Sequence, residues 1–201
     1  MTPAEIERFF KALSKECEVP VRVILTGAAA GALMGNVRPS RDIDFCIELR
    51  SRGSKAWAKI EQGLDRAVKL TGIPVNYAQD IDRWGQISLL DYRKQTLPYR
   101  RFGKVEVRLL DPRYWAIGKI SRYLNPDILD LVAVLSKRRV SPDPLVKVWA
   151  RALKKSPPSL ARFQFKQHAE HFLKTYGRRI WGKGFDPSPT IQSFHRSVSR
   201  S

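Results

Sequence analysis

The chain has 201 residues, 37 of them Lys or Arg against 19 Asp or Glu, for a net charge of +18 at pH 7. Hydrophobic residues make up 43%, which excludes a disordered chain and is enough for one cored domain with an appendage. No apolar run is long enough for a membrane span, and two cysteines outside any metal or redox spacing exclude a disulfide framework.

The charge excess points to a polyanionic partner such as RNA, DNA or nucleotide phosphates. It is unevenly placed: residues 1–49 carry six basic and seven acidic side chains, residues 147–201 twelve and two. With no signal peptide in view, the sequence predicts a cytoplasmic protein.

Thr2-Pro3-Ala4-Glu5 opens the first helix, with Thr2 as N-cap, Pro3 at the first position and Glu5 closing a capping box. Ile6, Phe9, Phe10 and Leu13 follow as one apolar stripe. Val19 to Leu25 reads as a buried strand. Thr26-Gly27 then turns the chain into a small, apolar, helix-prone run from Ala28 to Met34. Glycine at this turn lets a phosphate approach the free N–H groups of a helix N-terminus.

A polar loop, Asn36 to Arg41 with Pro39, leads to Asp42-Ile43-Asp44-Phe45-Cys46-Ile47-Glu48-Leu49. This run alternates, so as a strand it sends Ile43, Phe45, Ile47 and Leu49 to one face and Asp42 and Asp44 to the other. Two adjacent carboxylates repel. A hard divalent cation relieves that cost, and Mg²⁺ is commonly held by one or two carboxylates together with substrate phosphates.

Ser54 to Leu70 is an amphipathic helix through Trp57, Ile60, Leu64, Ala67 and Val68, stopped by Gly72. Pro74 to Tyr77 is a short strand. Asp80-Ile81-Asp82 repeats the Asp-x-Asp spelling but is followed by Arg83-Trp84-Gly85, which makes it a capped loop. Ile87 to Leu90 is a further strand candidate. Val105 to Leu110 alternates, with Glu106 pointing away from its apolar neighbours. Read from its neighbours alone, that glutamate is an exposed side chain paired with Arg108 or Lys104.

Asp111-Pro112 starts a helix bearing Tyr114, Trp115, Ile117, Lys119, Ile120 and Arg122, and Asn125-Pro126 starts the next, with Asp127 and Asp130 on one face. Their ordinary reading is solvated charge. Ser141-Pro142-Asp143-Pro144 and Ser156-Pro157-Pro158-Ser159 are breaks around a short helix, Leu145 to Leu153. Ser159 then caps a basic helix to about Tyr176. His168 and His171 share a face there without a third metal ligand. Phe163, Phe165, Phe172, Tyr176 and Trp181 are interleaved with basic residues, a pattern that suits nucleic-acid contact and core packing alike. From Gly182 the composition predicts a disordered tail.

Strand, Gly-turn, short helix, loop and Asp-x-Asp on a strand resemble the nucleotidyltransferase superfamily with the polymerase-beta-like fold. Small bacterial nucleotidyltransferases related to abortive-infection toxins of type IV toxin–antitoxin systems are the nearest likeness, over Val19 to about Leu135. The turn departs from the superfamily's Gly-Gly or Gly-Ser, since Gly27 is followed by Ala28. The resemblance implies an α/β fold with a small mixed sheet packed by helices; with the breaks and composition above, the sequence predicts that domain over residues 1–140, a basic helical extension over 141–181 and a disordered tail over 182–201.

For function, the resemblance implies Mg²⁺ on Asp42 and Asp44, with Glu106 in the place of a third carboxylate. It implies nucleotide phosphate at Thr26, Gly27, Ala28, Lys119 and Arg122, and catalytic participation of Lys119 with Asp127 or Asp130. The activity would be transfer of a nucleoside monophosphate from an NTP to a hydroxyl of RNA, such as a tRNA end, or of a protein, with a cognate antitoxin as a further partner. The alternative is a catalytically silent domain of this kind that binds nucleic acid or a partner protein.

Overall fold

Helix capping and apolar periodicity set the elements that open the chain. In the computed structural model, which describes residues 1–35, 40–49 and 54–199, Thr2 Oγ1 accepts from Glu5 N and Glu5 Oε2 accepts from Thr2 N. The capping box thus starts α1 (Pro3–Glu16) where expected. There follow β1 (Val21–Leu25), α2 (Gly27–Met34), β2 (Ile43–Leu49), α3 (Ser54–Thr71), β3 (Val75–Ala78), β4 (Thr96–Phe102) and β5 (Val105–Leu110). The rest is helical: α4 (Pro112–Arg122), α5 (Asn125–Lys137), α6 (Pro142–Lys155), α7 (Leu160–Trp181) and α8 (Pro187–Ser199). The Asn36–Pro39 part of the expected loop lies outside the described residues.

The chain divides into two compact units, residues 1–33, 37–81 and 96–110 in the first and 34–36, 82–95 and 111–201 in the second. Beyond the sheet the division falls after Leu110, because α4 and α5 pack with α6 and α7.

The first unit is a mixed five-stranded sheet in the order β3-β2-β1-β5-β4. β1 runs antiparallel to β2 and parallel to β5, and β2 runs parallel to β3. Ile43, Phe45 and Ile47 are buried on the apolar face of β2. There Phe9 and Phe10 of α1 meet Phe45 at centroid distances of 6.4 and 5.8 Å, and α3 packs beside α1. β4 was not legible as a strand: Pro98 and the exposed Arg100 and Arg101 break alternation, as suits an edge that must resist pairing with other chains. Ile87 to Leu90, a strand candidate by composition, forms none.

In the second unit, Trp149 of α6 is fully buried with Phe165 and Phe172 of α7 edge-on to it, each at 6.2 Å. Residues 182–199 correct the expectation of a disordered tail. The Gly, Pro and Ser that lower the hydropathy there are turn and helix-start residues: Pro187 begins α8. Phe194 of α8 is fully buried, and His195 Nε2 lies 2.7 Å from Glu170 Oε1 on α7. A Cβ at Gly177 would lie 2.4 Å from the Phe185 ring, so glycine in α7 makes the room that seats that ring.

Candidate functional site

Leu25 ends β1 in the core, and the chain reverses into α2 within two residues. Thr26 N donates to Asp44 O at 2.9 Å, which ties the turn to the start of β2, and Ala30 N donates to Thr26 O at 3.1 Å, which begins the helix. The N–H groups of Ala28 and Ala29 precede that first helical bond. α2 is apolar all round, with Ala29, Ala30, Ala32 and Met34 buried, as an interior helix should be.

Gly27 is required twice over. Its φ is +61°, a left-handed backbone costly for any side chain, and a Cβ there would lie 1.9 Å from Asp44 Oδ2. The Asp44 carboxylate thus occupies the space that any other residue at 27 would fill. Gly27→Ala is expected to cost about 1–3 kcal/mol from backbone strain and to push Asp44 out of place. A lower urea midpoint at unchanged m-value checks this. An unchanged midpoint would mean that the turn is not held as described.

Asp42 and Asp44 lie together. Asn76, opposite Asp44 in the parallel β2–β3 pair, donates through Nδ2 to Asp42 Oδ2 at 2.7 Å and to Asp44 Oδ1 at 3.1 Å. Asn76 was missed in the sequence. Its one signal was a polar residue at an outward position of a short strand, and that gains meaning only from the strand pairing. The donor set is all oxygen apart from this amide, both carboxylates are partly exposed, and glycine clears the space at Asp44. These residues fit a hard divalent cation that completes its shell with water or phosphate. Among the described residues no group of three or more His, Cys, Asp or Glu is placed to hold a metal.

Glu106 does not join the pair. It stands opposite Arg22, which stands opposite Glu48, whereas Phe45, next to Asp44, is level with Leu25 and Leu109. Glu106 is therefore about four residues, roughly 13 Å, along the sheet from Asp44. Leu109 and Leu110 stand nearest that level on β5. Burial pushes the Glu106 carboxyl up, but Arg22 and Arg108 outweigh it and hold the group below the usual carboxylate range. A third carboxylate from β5 is thus corrected to a glutamate neutralised by two arginines.

In the second unit the other expected site residues do cluster, but inward. Lys119 Nζ lies 2.9 Å from Asp127 Oδ1 and 2.7 Å from Asp130 Oδ2, with side-chain exposures of 3%, 2% and 0%. The Trp115 ring centroid is 5.4 Å from Nζ. Arg122, 61% exposed, adds Nη2 to Asp127 Oδ1 at 2.7 Å. The reading of Lys119, Asp127 and Asp130 as solvated surface charge is corrected: the helical stripe of α4 carries the lysine into the interior, where two carboxylates take its charge.

His168 and His171 bracket Tyr123. The Tyr123 ring stacks on His168 at 4.6 Å, and its hydroxyl is 2.7 Å from His171 Nδ1. Of the five aromatics singled out in the basic helix, Phe165 and Phe172 are fully buried in the core, Tyr176 and Trp181 are partly buried, and Phe163 is 58% exposed. No helix among the described residues is long and apolar enough to cross a membrane. No protein-family model matches this chain, nor does any curated protein or any solved structure.

Proposed function

We propose that this protein is a Mg²⁺-dependent nucleotidyltransferase that moves a nucleoside monophosphate from an NTP to an acceptor hydroxyl of RNA or protein, in the manner of a toxin held by an antitoxin. The observation that carries the reading is the contact of Gly27 with Asp44. A glycine at the strand-to-helix turn makes room for one of two carboxylates gathered at the start of β2, so the N–H groups of a helix start and a carboxylate pair lie close together. Asp42 and Asp44 would hold the cation. When bound, it supplies charge neutralisation for the triphosphate and acidification of the acceptor hydroxyl. The N–H groups at the start of α2 would receive phosphate oxygens, and Gly27 seats the Asp44 carboxylate beside that helix start. Each labelled NTP is to be incubated with the protein, Mg²⁺ and total cellular RNA. Label in RNA or in the protein supports transfer, and no transfer from any NTP would sink it.

A second reading has an observation of its own. Asn76 satisfies both carboxylates without a cation, and β5 offers only Leu109 and Leu110 near their level. A silent domain that binds nucleic acid or a partner protein fits those two facts, and the same incubation separates the two readings.

A polyanionic partner is supported by the second unit. Lys147, Arg151 and Lys174 are exposed and make no ion pair among the described residues. Deleting residues 156–201 would strip Phe165 and Phe172 from Trp149 and expose core, so single substitutions are the sound test. If these side chains meet phosphates, Lys147→Gln, Arg151→Gln and Lys174→Gln each weaken RNA binding and reduce the salt slope of log K by about 1. Filter binding across a salt series checks this, and unchanged slopes in all three would move the polyanion surface elsewhere.

A further inference from the structure

Asn76 enters the carboxylate pair by strand register. Val75 is held opposite Ile43 and Tyr77 opposite Phe45, whose rings stack at 6.0 Å on the other face of the sheet. Packing beneath the sheet therefore fixes the strand position from which the amide reaches both carboxylates. The –NH₂ group carries two donors and no charge. It meets one oxygen of each anion and dampens their repulsion without adding a further charge. Its donors lie 2.7 and 3.1 Å from those oxygens, in space the two anions share, and they present positive hydrogens to the same lone pairs that a cation needs.

We propose that Asn76 is the positioning residue of this site and its metal-free occupant: a divalent cation binds in exchange for the two amide hydrogen bonds, so Asn76 sets the cation concentration at which the pair is loaded. The inference rests on the metal-dependent reading above, and its sign follows from linkage. A group that stabilises the pair only in the absence of metal opposes metal binding by the same free energy. Removing it destabilises the metal-free protein and tightens cation binding. A residue that instead served as a metal ligand through its carbonyl oxygen would have the opposite effect on affinity.

The test uses the full chain with Asn76→Ala, and with Asn76→Thr as a second variant that keeps strand preference while removing the amide. In chelator, both variants are expected to melt about 3–6 °C below the parent, the shift that loss of two exposed charge-assisted bonds gives in a chain of this size. That deficit should shrink in an Asp42→Asn/Asp44→Asn background, where the amide meets only neutral acceptors. Calorimetric titration with Mg²⁺ or Mn²⁺ should show roughly tenfold tighter binding than the parent. Equal or weaker cation binding by both variants overturns the inference while leaving the metal site standing, as does a melting deficit that stays undiminished when both carboxylates are replaced. No cation binding by the parent or by either variant overturns the metal reading itself, and this inference with it.

Discussion

Replacing Asp42 or Asp44 with Asn is expected to lower nucleotidyl transfer by about 100-fold or more while leaving the protein folded. The exchange keeps side-chain size and removes one negative charge from a pair whose members share the Asn76 amide. Asp44 carries a further constraint, since its carboxylate fills the space beside Gly27, and asparagine keeps that volume. Stability in chelator should change by less than about 1 kcal/mol, because relief of repulsion offsets the weaker hydrogen bond from Asn76. Mg²⁺ should raise the melting temperature of the parent more than that of either variant, since a ligand that prefers the native state stabilises it by mass action. Full transfer activity in both variants, or an equal Mg²⁺ effect on all three proteins, would remove the pair from the catalytic centre.

Lys119→Ala is expected to act on folding first. The ammonium is the charge that two buried carboxylates share, at 2.9 and 2.7 Å. Removing it leaves Asp130, fully buried, and Asp127 with less than the neutralisation they have. Breaking a buried pair in this one-sided way costs about 3–5 kcal/mol, which lowers the melting temperature of a chain of this length by roughly 6–20 °C. Lys119→Met with Asp130→Leu removes one charge of each sign and fills the space with apolar atoms, so it should recover part of that loss. Differential scanning calorimetry of the single and double variants checks both statements. If Lys119→Ala melts with the parent and alters only nucleotide use, the lysine works as an exposed phosphate ligand, as the family resemblance implies, and the buried network is not its role.

The sequence by itself determined the elements whose information is local. The Thr2–Glu5 capping box, the apolar stripes of α1 and α3, the alternation that builds β2 and the proline-led start of α4 are written in residues no more than four apart, and each forms where the spacing places it. Pro142 and Pro144 read as a break, and they lie instead in the first turn of α6, where proline fits. The same alternation put Asp42 and Asp44 on the side of β2 away from Phe45, and the turn glycine was visible as a turn glycine.

Only the tertiary structure decided what those residues meet. Asn76 lies 32 residues from Asp44, and it joins the carboxylates because β3 pairs in parallel with β2 in one register. The same pairing logic carries Glu106 to Arg22 and away from Asp44. Lys119 reads as a solvated charge in any local window, and it is internal because α5 brings two carboxylates to it. The tail from Gly182 reads as polar linker, and it is ordered because α6 and α7 present the apolar surface that Phe194 covers. The difference has one physical origin. Backbone geometry and side-chain periodicity act over a few residues, whereas neutralising a charge or covering an apolar ring depends on groups that only long-range packing brings within a few ångströms.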